Sequence, residues 1–128
     1  MGSQQLLLLI LGTLTVGLML TFAIVMFVDS AAASNRDAIS SELTSYASKA
    51  QLYYRKPRVL GGGGGTFTGF SLGGPSVTDY NGTFSVSSTS PTMVTIEGVG
   101  IELGYDHTNL VKVAIDVQAD SIFVNELN

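Results

Sequence analysis

The sequence predicts an α+β protein in which a long N-terminal α-helix, hydrophobic in its first half and amphipathic in its second, packs on a small antiparallel β-sheet head. Three observations predict it. Leu6 to Val28 is a run of 23 residues without a charge. No glycine or proline falls between Asp29 and Lys56, so nothing there breaks a helix. Beyond Pro57, short runs rich in Val, Ile, Phe and Thr are separated by glycine, proline or Asx residues, the pattern of strands joined by turns.

The helix comes first in the chain and is expected over residues 1–57. As a helix, Leu6 to Val28 is about 35 Å long at about 1.5 Å per residue, enough to cross a bilayer core of about 30 Å. Residues 6–28 are therefore read as the transmembrane part. A cleaved secretory signal is the competing reading. Such signals open with Lys or Arg and carry a shorter apolar core, whereas the residues before Leu6 are Met1-Gly2-Ser3-Gln4-Gln5. Ala31-Ala32-Ala33-Ser34 would suit a signal peptidase, but a retained helix is the expectation.

Residues 29–57 form an amphipathic stalk. Ala32, Ile39, Leu43, Tyr46, Ala50 and Tyr53 recur at helical spacing, with Ser, Thr, Lys, Glu and Gln filling the other faces. One stripe must be buried, and Ile39, Leu43, Tyr46, Ala50 and Tyr53 are expected to dock the head. A head of 70 residues from Val59 to Asn128 is close to the size at which a core alone is marginal.

Residues 58–65 form a connector containing five consecutive glycines, Gly61 to Gly65. A phosphate-binding loop needs spaced glycines followed by Lys and Ser or Thr opening a helix. Here Thr66-Phe67-Thr68 reads as a strand, so a close-packing loop or hinge is expected instead. Residues 66–128 form the head, with strands expected at Thr66–Leu72, Thr83–Ser87, Met93–Glu97, Gly100–Leu103, Val111–Val117 and Ser121–Val124. Asn81-Gly82, between Val77–Tyr80 and Thr83–Val86, predicts a two-residue type I′ hairpin.

Composition narrows function. A chain of 128 residues holds about one domain, and without cysteine it has no disulfide and no thiolate-bound metal. The net charge of −4 offers nucleic acid no general attraction. One histidine, His107, leaves few groups for catalysis. The expectation is a protein that is not an enzyme and takes no cofactor and no metal, including at the Glu102, Asp106 and His107 grouping. Asp79-Tyr80-Asn81-Gly82-Thr83 matches an acidic-extended glycosylation sequon at Asn81, and Ser85 to Thr92 is rich in hydroxyls that can carry O-linked sugar.

Charge is uneven along the chain. From Asp29 to Arg58 there are five basic residues against three acidic, whereas the head carries seven acidic against Lys112 alone. A basic collar and an acidic head can meet between subunits.

The charge-free opening, its unbroken continuation into an amphipathic half and the small sheet together resemble the type IV pilin superfamily. The sequence marks are Gly2-Ser3-Gln4-Gln5-Leu6-Leu7-Leu8-Leu9-Ile10-Leu11-Gly12, Asn35-Arg36-Asp37-Ala38 and Gln51-Leu52-Tyr53-Tyr54-Arg55-Lys56-Pro57, which resemble a short-headed bacterial pilin-like subgroup. The resemblance implies a structural subunit that sits in the inner membrane and is then polymerised into an extracellular filament. Its implied partners are copies of itself, the pilus assembly machinery and a prepilin peptidase. Leu6, Leu7, Leu8, Leu9, Ile10, Leu11, Leu14, Val16, Leu18, Phe22, Ile24, Val25 and Phe27 would form the filament core.

Gly12 and Gly17 would permit close helix approach and local stretching. Two features depart from the pilin pattern: no basic leader precedes the apolar run, and no glutamate occurs before Asp29. Gln4 and Gln5 stand near the place of that glutamate, and an uncharged side chain gives subunit register a weaker bond than a carboxylate would. If a peptidase cuts after Gly2, the mature chain opens at Ser3. A secretion-system pseudopilin and a monomeric membrane-anchored binding module remain the alternatives.

Overall fold

The computed structural model describes residues 2–128. Helix α1 (Gly2–Arg55) is followed by a 3-10 turn (Arg58–Leu60) and five strands: β1 (Val77–Thr78), β2 (Gly82–Thr89), β3 (Met93–Leu103), β4 (Leu110–Gln118) and β5 (Ile122–Glu126). The strands form one sheet in sequence order, every neighbouring pair antiparallel. The fold is thus the expected long helix on a small antiparallel sheet. The chain divides into two compact units, one ending at Ala31 and the other comprising Ala32–Asn128.

In the first unit every residue from Gly2 to Ser30 is exposed. The threonine hydroxyls are satisfied inside the helix: Thr13 donates to Leu9 O at 2.8 Å, Thr15 to Leu11 O at 2.8 Å and Thr21 to Gly17 O at 3.0 Å. Such bonds back to the preceding turn let a hydroxyl stand among apolar neighbours without water.

In the second unit the helix covers one face of the sheet, as a two-layer core requires. Ala32, Ile39, Leu43, Ala47 and Ala50 line its buried face, together with the polar Asn35 and Arg36. Against them lie Phe84 from β2, Val94 and Ile96 from β3, and Val111, Val113, Ile115 and Val117 from β4, all fully buried. In β3 every second residue from Val94 to Gly100 is buried, the period of a strand with one covered face.

Glycine makes this approach close enough. Gly82 pairs with Gly100, and Phe84 with Gly98, across β2 and β3. A Cβ at Gly98 would lie 2.7 Å from Ile39 Cγ2, and one at Gly100 would lie 2.0 Å from Asn35 Oδ1. The sheet is therefore dented where Ile39 and Asn35 enter it.

The strands differ from expectation at three places. Thr66–Leu72 is not a strand but a folded loop. Gly69 has a φ of 87°, and Phe70 N donates to Phe67 O at 3.0 Å, closing a turn. Burial drives this fold-over: Phe67 is fully buried with its ring 4.7 Å from Tyr54, and Phe70 meets Tyr53 edge-on at 5.5 Å. Met93–Glu97 and Gly100–Leu103 are one strand, because Gly98 and Val99 keep their pairing on both sides.

The Asn81-Gly82 hairpin is also not type I′, since neither residue has a positive φ. Thr78 pairs with Thr83, leaving a four-residue connection. Asp79 N donates to Gly82 O at 2.9 Å, and Asp79 Oδ1 accepts from Asn81 N at 2.8 Å and Gly82 N at 3.1 Å. The carboxylate at the start of the turn supplies the closure that left-handed residues would otherwise provide.

The glycine run ends α1. Carbonyls of the last helical turn have no intrahelical partner. Gly63 N donates to Tyr53 O at 2.8 Å, Gly65 N to Tyr54 O at 2.8 Å and Gly64 N to Lys56 O at 2.9 Å, while Gly62 N takes Pro57 O at 3.1 Å and Gly61 N takes Arg58 O at 2.9 Å. Five amides are thus spent on the helix end and the turn after it, and none is left to cradle a phosphate. Added Cβ atoms would lie 2.1 Å from Lys56 O at Gly62 and 1.9 Å from Thr66 O at Gly63. Replacing both by alanine should cost about 2 kcal/mol or more, read as a lowered melting temperature of the full chain in detergent. An unchanged melt would mean that the run is only a linker.

Candidate functional site

The expected filament-core side chains all lie on the first unit. Leu6, Leu7, Leu8, Leu9, Ile10, Leu11, Leu14, Val16, Leu18, Phe22, Ile24, Val25 and Phe27 are each more than half exposed, so they encircle the helix rather than forming one stripe. A helix hydrophobic all round requires an apolar surrounding on every side. This helix is long and apolar enough to cross a membrane. Gly12 and Gly17 have no neighbouring atom within 4 Å of an added Cβ. A shallow groove runs past Gly12 between Leu8, Leu9, Thr13 and Val16. Gln4 and Gln5 lie exposed near the start of α1, whose first turn holds no acidic residue.

The expected docking residues lie on the second unit. Ile39, Leu43 and Ala50 are fully buried, Tyr46 packs on Phe84 with ring centroids 5.2 Å apart, and Tyr53 donates from its hydroxyl to Thr68 O at 2.9 Å. Sequence reasoning did not find Ala47, Asn35 or Arg36 on this face. The signal available was spacing: 32, 35, 36, 39, 43, 47 and 50 follow one helical face, and a small, an amide and a cationic residue obscured it.

Asn35 is a latch between helix and sheet. Its Oδ1 accepts from Ile101 N at 3.0 Å and Glu102 N at 3.4 Å, and its Nδ2 donates to Asn81 O at 2.9 Å. Arg36 is only 3% exposed. Its Nη2 donates to Asn128 O at 3.0 Å and its guanidinium stacks 3.7 Å from the Tyr105 ring centroid. The Glu126 carboxylate is 4.0 Å from Arg36 Nε, which makes no hydrogen bond. Charge and an aromatic face, rather than a full set of acceptors, hold this cation.

Asn81 is half buried, and its amide nitrogen, the atom a glycan would occupy, donates to the Glu42 carboxylate. Asp106 is held well below the usual carboxylate range, first by the Asn109 and Thr108 amides and then by the Asn109 and Asn128 side chains. It is therefore a loop clasp. His107 sits beside it with a φ of 53°. Among the described residues no three His, Asp or Glu side chains gather to hold a metal.

Glu42 on the helix and Asp79 in the β1–β2 turn are linked through Asn81, whose side chain donates to Glu42 and whose backbone amide donates to Asp79, and the two carboxyls shift in opposite directions. Hydrogen bonding to Asp79, and then burial, push Glu42 up, against the donation from Asn81. The same bond from Glu42, aided by the Asn81 and Gly82 amides against burial, holds Asp79 down. Burial and then these two carboxylates also raise the Tyr46 hydroxyl. No family model, no curated protein and no solved structure matches the chain.

The two pKa directions have opposite consequences for stability. Because the folded Glu42 value is raised, its contribution is complete at low pH and is lost as pH climbs through that folded value. Asp79, being lowered, contributes above the ordinary carboxylate range and loses its contribution as pH falls through its folded value. Glu42→Gln keeps a donor for Asp79 and an acceptor for Asn81 at every pH. Its melting temperature should therefore fall less than the wild type's as pH rises above the ordinary carboxylate range. Parallel pH profiles for the two chains would show that the Glu42 carboxyl makes no pH-dependent contribution.

Proposed function

We propose that this chain is a structural subunit of an extracellular filament of the type IV pilus kind. Before assembly, the apolar half of α1 lies in the inner membrane; in the filament, the same surface packs against copies of itself. One observation carries the reading: more than a dozen large apolar side chains on one helix are each more than half exposed. Burying each is worth about 1.5–3 kcal/mol, so water is the one environment this surface must leave.

A lipid bilayer and a bundle of like helices both provide such cover. Three features favour passage from the first to the second. No glycine or proline lies between Gly17 and Pro57, so no linker separates the apolar residues from those built into the head. Gly12, Gly17 and the internally bonded threonines give the helix small, dry surfaces of the kind that pack helix on helix. The opening residues and the stalk also resemble pilin-like subunits. Gln4 and Gln5 would make neutral contacts near the helix start, so apolar packing carries more of the subunit register.

The head supplies the surface of the fibre. No catalytic group is assigned, and the function is mechanical: to be held, extruded and stacked.

Leu14→Arg tests this directly. A cation near the middle of the apolar half costs about 2.5–3.5 kcal/mol on insertion scales and cannot be paired in a bundle of identical apolar helices. Filaments sheared from the cell surface should fall about tenfold or more, while the melting temperature of the head is unchanged. A normal filament yield would refute the reading. Wild-type protein confined to short periplasmic assemblies would instead indicate a pseudopilin, and a wild-type chain that stays monomeric in detergent and on cells would indicate an anchored binding module.

A further inference from the structure

Two exposed apolar patches of the second unit differ in electrical character. The first is at the C-terminal end of α1, where Leu52, Val59 and Leu60 are exposed, Val59 at 96%. These side chains are presented by an ordered turn. Leu60 N donates to Pro57 O at 3.0 Å, the glycine amides hold the residues around it, and Arg58 Nε donates to Gly63 O at 3.3 Å. Lys49, Arg55, Lys56 and Arg58 surround the patch, all exposed and none in an ion pair among the described residues. Asp120 lies in the β4–β5 turn next to Ala119, whose carbonyl accepts from Arg55 at 3.4 Å.

The second patch is where β3 turns into β4 and the chain returns past β5. Ile101, Leu103, Tyr105, Leu110 and Leu127 are exposed there. The carboxylates among them are Glu102, Asp106 and Glu126. The nearby cations are already engaged: Arg36 is buried beside Tyr105 and Glu126, and Lys112 is paired with Glu97 at 3.0 Å. Asn35 and Arg36 hold this end to the helix, whereas Gln51 and Arg55 hold the other through Gln118 O and Ala119 O. Arg36 and Arg55 are 19 positions apart on one helix, so the patches are separated by about 28 Å.

We infer that the head docks head to tail on a second copy of this chain, the basic turn at Lys56, Arg58, Val59 and Leu60 of one copy seating on the acidic patch at Ile101, Glu102, Leu110 and Leu127 of the next. Charge complementarity selects the occupant. A basic apolar surface and an acidic apolar surface occur on the same molecule, and neither Glu102 nor the cations of the turn are in an ion pair among the described residues. Because the two surfaces are different, each docking leaves one of each kind open, so the contact propagates instead of closing into a pair. An apolar centre with a charged rim also fits a protein interface: the apolar residues supply the affinity and the charges set the orientation. The ordered turn adds to this, because Val59 and Leu60 lose little freedom on docking. This inference rests on the reading of the chain as a self-assembling subunit and names the contact between heads.

The chain has no cysteine, so introduced cysteines report the contact without background. The full-length double variant Val59→Cys with Leu110→Cys, oxidised mildly on cells, should give a ladder of dimers, trimers and larger species. Each single variant should give no ladder. Leu60→Cys with Leu127→Cys is a second, independent pair. Lys56→Glu in the double-cysteine background should reduce cross-linking about fivefold, as should Glu102→Lys, and combining the two reversals should restore it.

A ladder from either pair, weakened and rescued in this way, supports the contact even if no filament can be sheared from the cells, a result that would count against the filament reading alone. Filaments of normal yield with no ladder from either pair would overturn the contact and leave the filament reading standing. Dimers from Val59→Cys alone would overturn it in favour of a symmetric pair. Binding to phosphatidylserine vesicles that is lost in Lys56→Glu, without any ladder, would overturn it by assigning the basic turn to a lipid surface.

Discussion

Everything in the head depends on one interaction, the seating of α1 in the dent that Gly82, Gly98 and Gly100 make in β2 and β3. Side chains at these three positions would collide with Ile39, Phe84 or Asn35, or with the neighbouring strand's backbone. Their absence brings the helix close enough for Ile39 and Leu43 to be sealed completely and for Asn35 to reach the amides of Ile101 and Glu102. A sheet this small cannot bury both of its faces. The helix is its second layer, which makes the stalk part of the head rather than a support beneath it.

The two halves of α1 therefore meet opposite requirements within one continuous element. From Ala32 onward, helix packing is settled within the chain by apolar contacts, the Asn35 latch and the Arg36 stack on Tyr105. From Gly2 to Ser30 every residue is exposed, and the hydroxyls of Thr13, Thr15 and Thr21 are turned inward to the helix's own carbonyls. A polypeptide with both properties keeps a folded head while leaving a large apolar surface exposed. The glycine run completes the arrangement by using its amides to close the helix end and by presenting Val59 and Leu60 on an ordered turn.

Much of this was legible in the sequence for plain physical reasons. A charge-free run without breakers has few alternatives to a long helix, and Ile39, Leu43 and Ala50 at helical spacing marked the covered face. The alternation in Met93–Glu97 and Val111–Val117 marked β3 and β4. What could not be read depended on partners distant in the chain. Thr66–Leu72 alternates like a strand, yet Phe67 and Phe70 are drawn onto Tyr54 and Tyr53 of the helix. Asn81-Gly82 has the composition of a type I′ turn, but Asp79 two residues earlier closes the loop by another route. Arg36 reads as a surface cation until Tyr105, Glu126 and Asn128 are seen to gather around it. The glycines of the dent look like ordinary strand interruptions, because their meaning lies in a helix about 45 residues or more before them.

The central claim is that the head is complete with the second half of α1 and that the first half exists to be covered by something else. The most direct measurement is a thermal melt, together with the solution mass, of a chain that begins at Ala32. The account predicts a water-soluble monomer at low concentration that unfolds in one cooperative transition. A chain that unfolds without cooperativity, or that needs residues 2–31 to fold, would contradict it.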